Sequence, residues 1–276
     1  MVRFVGIDIG KAKCRAAIMD PGGIILEEFT FANNHEGIEG LASRLTLDDR
    51  VVMESTGSVW TNLYNRLDAK HIPVALANPL KTKAIASAKI KSDKVDARIL
   101  AHLLRSNLVA ESYVPPQHLR EIRALIRHRV GIVKIRTMVK NHVHALVDTH
   151  GFACPYSDLF GKRGLEWLRS LQLPPLDKLI LNNHLIHLES LNQQTERVDE
   201  EIHNKACEDE DARLLLNMTG IDVYSALLIR SEIGSIDRFP NHKKLISWAG
   251  LAPSLHQSDN VKYHGSITKQ GSRMLR

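Results

Sequence analysis

The chain has 276 residues, 43% hydrophobic and 25% charged, which is enough to bury a substantial core in two or three domains and excludes a disordered polymer. A formal charge of +6 and a pI near 9.2 favour a phosphate-rich partner. Cys14, Cys154 and Cys207 are too far apart for a disulfide framework or a zinc knuckle, and neither a signal-peptide hydrophobic region nor a run of about 18 apolar residues is found, so a cytoplasmic protein with no membrane partner is expected.

Phe4 to Gly10 reads as a short buried strand with Asp8 at its polar end. After the break at Gly10-Lys11, Cys14 to Met19 forms a second strand. The turn Asp20-Pro21-Gly22-Gly23 leads into a third, Ile24 to Phe31, completing an antiparallel opening. Asn33 or Asn34 caps a helix with Ile38, Leu41 and Leu45 on one face. Arg50 to Glu54 is a strand ending in an acid. It is followed by Ser55-Thr56-Gly57, a corner small enough for a substrate backbone to approach. Thr61 to Leu67 reads as a helix, Ile72 to Ala77 as a strand, and Asn78-Pro79 as a stop. Asp93 then opens a helix whose apolar side is Val95, Ile99, Leu103 and Leu104. The order is that of a mixed α/β sheet covered by helices.

Within Lys91-Ser92-Asp93-Lys94-Val95-Asp96-Ala97-Arg98, Asp96 falls one turn after Asp93 on nearly the same helix face. Between Lys81 and Arg105 these are the only two acids against seven Lys or Arg, a local net charge of +5. A phosphate partner fits that field, with Lys11, Lys81, Lys83, Lys89, Lys91 and Lys94 as candidate contacts. Taken singly, the acids have plain explanations: a helix cap and salt bridge for the aspartate pair, and strand-end polarity or charge pairing for Asp8 and Glu54. Taken together, four converging carboxylates repel one another, and a hard oxygen-seeking cation is the natural compensation. Two Mg²⁺ ions about 4 Å apart can then activate water and stabilise a leaving oxygen in phosphodiester cleavage.

Tyr113-Val114-Pro115-Pro116 marks a domain boundary. Gln117 to about Val147 is helical, with Leu119, Ile122, Ile126, Val130, Val133 and Thr137 as its apolar stripe. Arg120, Arg123, Arg127 and Lys134 are candidate nucleic-acid contacts on its basic remainder. Residues 149 to 164 form a connector anchored by Phe152, Tyr156 and Phe160. A brief helix, Leu165 to Leu171, precedes a long one from Leu176 to Cys207 with an imperfect heptad. The two long helices resemble an antiparallel coiled-coil arm. Nine acids against two bases between Glu189 and Asp211 turn that portion away from nucleic acid. The fourteen histidines are scattered, and His142 and His144 read as surface residues.

Asn217 to Ile229 reads as helix, glycine turn and helix, whose exposed amides can meet a phosphate. Leu245 and Trp248 are expected in the core of a further short helix. Beyond Pro253 lies a hydroxyl-rich, basic tail with Ser258, Lys262, Lys269 and Arg273. Spacing alone does not single out one of its serines as a nucleophile.

Gly6-Ile7-Asp8-Ile9-Gly10-Lys11, Met53-Glu54-Ser55-Thr56-Gly57, Lys91 to Ala97, Gly250-Leu251-Ala252-Pro253 and Gly271 to Arg276 together resemble the insertion sequence 110 family of bacterial transposases, which includes the Piv and MooV DNA invertases. The resemblance implies an RNase H-like, RuvC-type catalytic domain over residues 1–113, a helical coiled-coil arm over 114–208 and a small, mainly helical transposase domain over 209–276. It implies a metal-binding tetrad of Asp8, Glu54, Asp93 and Asp96 carrying Mg²⁺. Ser258 is matched to the serine that attacks the DNA backbone, although the family commonly has glycine where this chain has Asp259. Donor and target DNA, a noncoding bridge RNA and a homo-oligomer, dimer or tetramer, are the implied partners. In the family pattern a helix continues past Arg276, which leaves open a truncated last domain. A junction-resolving endonuclease, a small-molecule kinase of the actin-like ATPase group suggested by Gly6 to Lys11, and a non-enzymatic nucleic-acid-binding protein are the alternatives. The long arm and the C-terminal motifs speak against the first, the helical and basic chain after Pro115 against the second, and the four acids against the third.

Overall fold

The computed structural model describes residues 2–55, 57–85, 93–258 and 261–276, in two compact units, Met1–Pro115 and Pro116–Arg276. The first is built on a five-stranded sheet of order β3-β2-β1-β4-β5. Strands β1 (Phe4–Ile9), β2 (Lys13–Met19) and β3 (Ile25–Ala32) run antiparallel in sequence, whereas β4 (Arg50–Glu54) and β5 (Val74–Ala77) run parallel to β1. The period of two sorts the side chains to opposite faces. Val5, Ile7, Val51 and Met53 join one core with Ile38 and Leu41 of α1 (His35–Ala42) and Leu63 and Leu67 of α2 (Trp60–Ala69). Val52 and Ala77, with Phe4 and Ala75 packed beside them, join Leu100 and Leu104 of α4 (Asp93–Arg105) on the other face.

Asn34 caps α1 by accepting from the Gly37 N–H at 2.9 Å. Asn78-Pro79, expected to stop a segment, instead starts α3 (Pro79–Ile85): Asn78 accepts from the Lys81 N–H, and Pro79, which has no N–H to satisfy, opens the helix. Before β4, the fully buried Asp49 receives both arms of the Arg3 guanidinium, at 2.9 and 2.5 Å, and the Thr46 N–H at 2.7 Å. Burial alone would push this carboxyl up, but the Arg3 and Thr46 hydrogen bonds outweigh it and hold it below the usual range.

In the second unit α5 (Gln117–Thr149) and α7 (Pro175–Glu208) pack along each other, with α6 (Lys162–Ser170) between them in sequence. The α5 stripe departs from the expected one. Leu119, Ile122 and Ile126 are buried, but the buried line then continues through Ile132, Val139, Val143 and Val147, and Thr137 is exposed. Over so long a helix the contact line follows the partner α7 rather than one fixed stripe. On α7, Leu181, Leu185, Leu188, Leu191, Thr195 and Ile202 of the expected heptad are buried, and Val198 is half-buried. Phe152 and Phe160 pack against the same core, whereas Tyr156 stays exposed.

The start of α5 and the end of α7 share a second core with α8 (Glu210–Leu215) and α9 (Val223–Ile233). α10 (His242–Trp248) follows, and its Leu245 and Trp248 are half-buried rather than core; Trp248 lies edge-on to Phe239 with Arg238 over its ring. The last segment adds strands to the helices of residues 209–252. β6 (Pro253–Ser258) and β7 (Val261–Ile267) pair as an antiparallel two-stranded sheet, and residues 268–276 contain no helix.

Candidate active site

Asp8 and Glu54 stand near the C-terminal ends of β1 and β4, neighbouring parallel strands whose register aligns Ile7 with Met53. Because Ile7 and Met53 point into the α1–α2 core, the alternation turns Asp8 and Glu54 to the opposite face, the one covered by α4. The direction of α4 follows from its contacts. Leu104, near its C-terminus, shares a core with Phe4 at the start of β1, and Ala97 lies over Gly6 further along. Thus α4 runs antiparallel to β1, and its first turn, with Asp93 and Asp96, lies over the strand end that bears Asp8.

Gly6 allows this approach. A Cβ there would lie 2.5 Å from the Ala101 backbone nitrogen and closer still to the Ala97 carbonyl oxygen. Arg98 forks onto Glu28 of β3, fastening α4 to the sheet, and Arg15 reaches the same carboxylate at 4.0 Å. Arg15 also stands across the β1–β2 ladder from Asp8. Beyond Asp8, the Gly10 carbonyl accepts from the Asn33 amide at 3.0 Å, fixing a tight loop that exposes Lys11. Cys14 lies behind this loop. Burial pushes its thiol up to about 11, and the Asp8 charge adds to the push.

Asp8, Glu54 and Asp96 are each half-buried, open enough for solvent to reach. Their donors are all carboxylate oxygens, the chemistry suited to a hard divalent cation. Among the described residues no three His, Cys, Asp or Glu side chains stand close enough to hold a metal, and the Asp93 side chain lies outside that description. The sheet thus brings Asp8, Glu54 and the Asp93–Asp96 turn to one end.

Lys81 and Lys83 project from α3 into solvent, while Lys89 and Lys91 lie outside the described residues, as does the Lys94 side chain. On α5, Arg127 and Lys134 are exposed and Arg120 half-buried. Arg123 is turned inward, donating to the Ser231 and Glu232 carbonyls at 2.5 and 2.7 Å, and Arg127 bonds Glu232 at 3.1 Å; both close the α9 end rather than offering free charge. The turn before α9 also differs from expectation. Asp222 caps the helix, accepting from the Ser225 N–H at 2.7 Å, so a carboxylate already holds the position expected for a phosphate. Ser258 ends β6, paired with Val261, and its side chain and that of Lys262 lie outside the description; Lys269 and Arg273 are exposed.

Two family models match the chain. A transposase model of the DEDD, IS110 type spans residues 5–152, over half the chain, from β1 to the loop after α5. The chain belongs to the IS110 family of transposases. A second model, that of the IS116/IS110/IS902 transposases, covers residues 212–276, from α8 through the β6–β7 hairpin. Relatives are similar over most of their length. The transposase for insertion sequence element IS1111A of Coxiella burnetii is 24% identical over all of this chain and 75% of its own length. The pilin gene-inverting protein of Moraxella bovis is 26% identical over 99% of this chain and 79% of its own. As a member of this IS110 family the protein is an enzyme of DNA recombination. Its mixed α/β unit accords with an RNase H-like DEDD domain.

Sequence reading gave no positioning role to Gly6, Arg15, Glu28 and Arg98, which place the α4 turn. Only Gly6 left a local signal, since a glycine inside a buried strand marks a close backbone approach.

Proposed function

We propose that this IS110-family enzyme cleaves and exchanges DNA strands at an insertion sequence, using a carboxylate-held metal at Asp8, Glu54, Asp93 and Asp96 and Ser258 as a nucleophile, with a bridge RNA selecting donor and target. The observation that carries the reading is the meeting of two strand-end carboxylates with the first turn of α4 on one face of the sheet. DEDD transposases depend in general on divalent metal. When bound, Mg²⁺ supplies Lewis-acid stabilisation of phosphate oxygens and a lowered pKa for a coordinated water. Asp8 and Glu54 contribute donors from rigid strand ends, and Asp93 and Asp96 contribute theirs from the helix. The Arg98–Glu28 fork resists any withdrawal of that helix.

In the second part of the reaction the Ser258 Oγ attacks phosphorus. It forms a seryl phosphodiester while the departing DNA oxygen takes up a proton, and the incoming strand's hydroxyl later reverses the linkage. Lys262, Lys269 and Arg273 are the cations proposed to face the phosphate there, and Lys11, Lys81 and Lys83 those around the carboxylates. A homo-oligomer, dimer or tetramer, completes the proposal, with the basic composition supporting a nucleic-acid partner. The decisive experiment is a recombination assay with copurifying RNA and its matching DNA sites. Asp96→Asn is expected to abolish Mg²⁺-dependent cleavage while nucleic-acid binding persists. Full recombination by Asp96→Asn would overturn the carboxylate site.

A further inference from the structure

His142 on α5 and His184 on α7 face each other across the seam between the two long helices. Their ring centroids are 5.4 Å apart and their planes inclined at 50°. The seam beneath them is packed: Val143, Leu181, Leu185 and Leu188 are all buried in one core. His187, three residues after His184, lies near enough for its charge to act on His184. Burial first, then the neighbouring His142 and His187, keep the His184 ring below the ordinary imidazole value, so that neutral imidazole prevails at physiological pH.

Two imidazoles that share a tetrahedral ion at about 2 Å from each nitrogen place their ring centroids roughly 5 Å apart. The His142–His184 pair stands close to that separation, at 5.4 Å. Because one ring comes from each helix, an ion between them cross-links α5 to α7. We propose that His142 and His184 form a binding site for a borderline divalent transition ion, Zn²⁺, Ni²⁺ or Cu²⁺, which clamps the two long helices together. Imidazole nitrogen selects these ions over Mg²⁺, so the site is chemically separate from the carboxylates of the first unit. Among the described residues no three metal-ligating side chains are close enough together to enclose an ion. The site therefore consists of two protein nitrogens, with water completing the shell.

The test uses the whole chain. Zn²⁺ is expected to raise the unfolding midpoint, since an ion that binds only the folded state stabilises it by mass action. Cu²⁺ is expected to show nitrogen couplings from two imidazoles in its paramagnetic resonance spectrum. His184→Gln and His142→Gln should each lose the Zn²⁺ shift and reduce the spectrum to at most one imidazole. Both positions are accessible to solvent, so the variants should fold, as circular dichroism without metal will verify. A wild-type chain with no Zn²⁺ shift, a His184→Gln chain with an undiminished one, or a shift that disappears only in Asp96→Asn would each overturn the proposal.

Discussion

Replacing Gly6 by alanine tests whether the α4 approach sets the active site. The added methyl would sit 2.5 Å from the Ala101 nitrogen and nearer to the Ala97 carbonyl oxygen, and both obstacles are helix backbone that cannot rotate aside. Carbon contacts are comfortable near 3.5 to 4.0 Å, so α4 must retreat by about 1 Å. Overpacking of this kind costs about 1–3 kcal/mol. The kinetic effect should be larger than that stability loss suggests, because a displacement of about 1 Å at reacting groups can cost ~100-fold in rate. Thermal unfolding and Mg²⁺-dependent strand cleavage would be measured in parallel with Leu41→Ala. Leu41 is fully buried in the core on the other face of the sheet, where truncation costs about 2–5 kcal/mol without moving α4. At a temperature where all three proteins are folded, Gly6→Ala should be far less active than Leu41→Ala. Equal cleavage by the two variants would refute the claim that the α4 approach controls the site.

Three further outcomes are expected. Asp93→Asn should abolish cleavage as Asp96→Asn does, and a competition binding assay should find DNA affinity largely kept. Ser258→Ala should remove any covalent protein–DNA adduct, as seen by denaturing electrophoresis after nuclease digestion; a DNA-linked peptide centred on another serine would reassign the nucleophile and leave the carboxylates untouched. Arg3→Met should cost ~3 kcal/mol, because it strands the buried Asp49 carboxylate. Asp49 has a folded pKa below its unfolded value, so its contribution is fully present above about pH 4 and is lost as pH falls through the folded value. Chemical denaturation across that range should show the wild-type advantage over Arg3→Met shrinking toward acid pH.

Much of the first unit is legible in the sequence because its signals are local. Arg50–Glu54 is one apolar run with an acid at its end, Asn34 is a cap, and Asp93 opens a helix rich in Ala and Leu. The shared face of Asp8 and Glu54 rests on the register that sets Ile7 beside Met53, which neither strand announces alone. The direction of α4 over β1 is not local either, since it depends on Phe4 meeting Leu104 a hundred residues away. The β6–β7 hairpin escaped notice for a different reason. Leu255, Tyr263 and Ile267 are exposed, so its strands lack the buried alternation that normally marks a half-buried strand. Similarly, His142 read as a surface residue on its own helix, and only the packing of α7 against α5 supplies His184 beside it.

The three cysteines make unequal targets for thiol chemistry. Cys14 is buried and its thiol is raised to about 11, so it stays protonated and shielded from alkylating reagents while the protein is folded. Cys154 is partly covered, whereas Cys207, near the end of α7, is exposed. A fluorophore maleimide will therefore mark α7 first. Delayed labelling of Cys14 then becomes a clock for the opening of the sheet around Asp8, readable by mass spectrometry in the unmodified sequence.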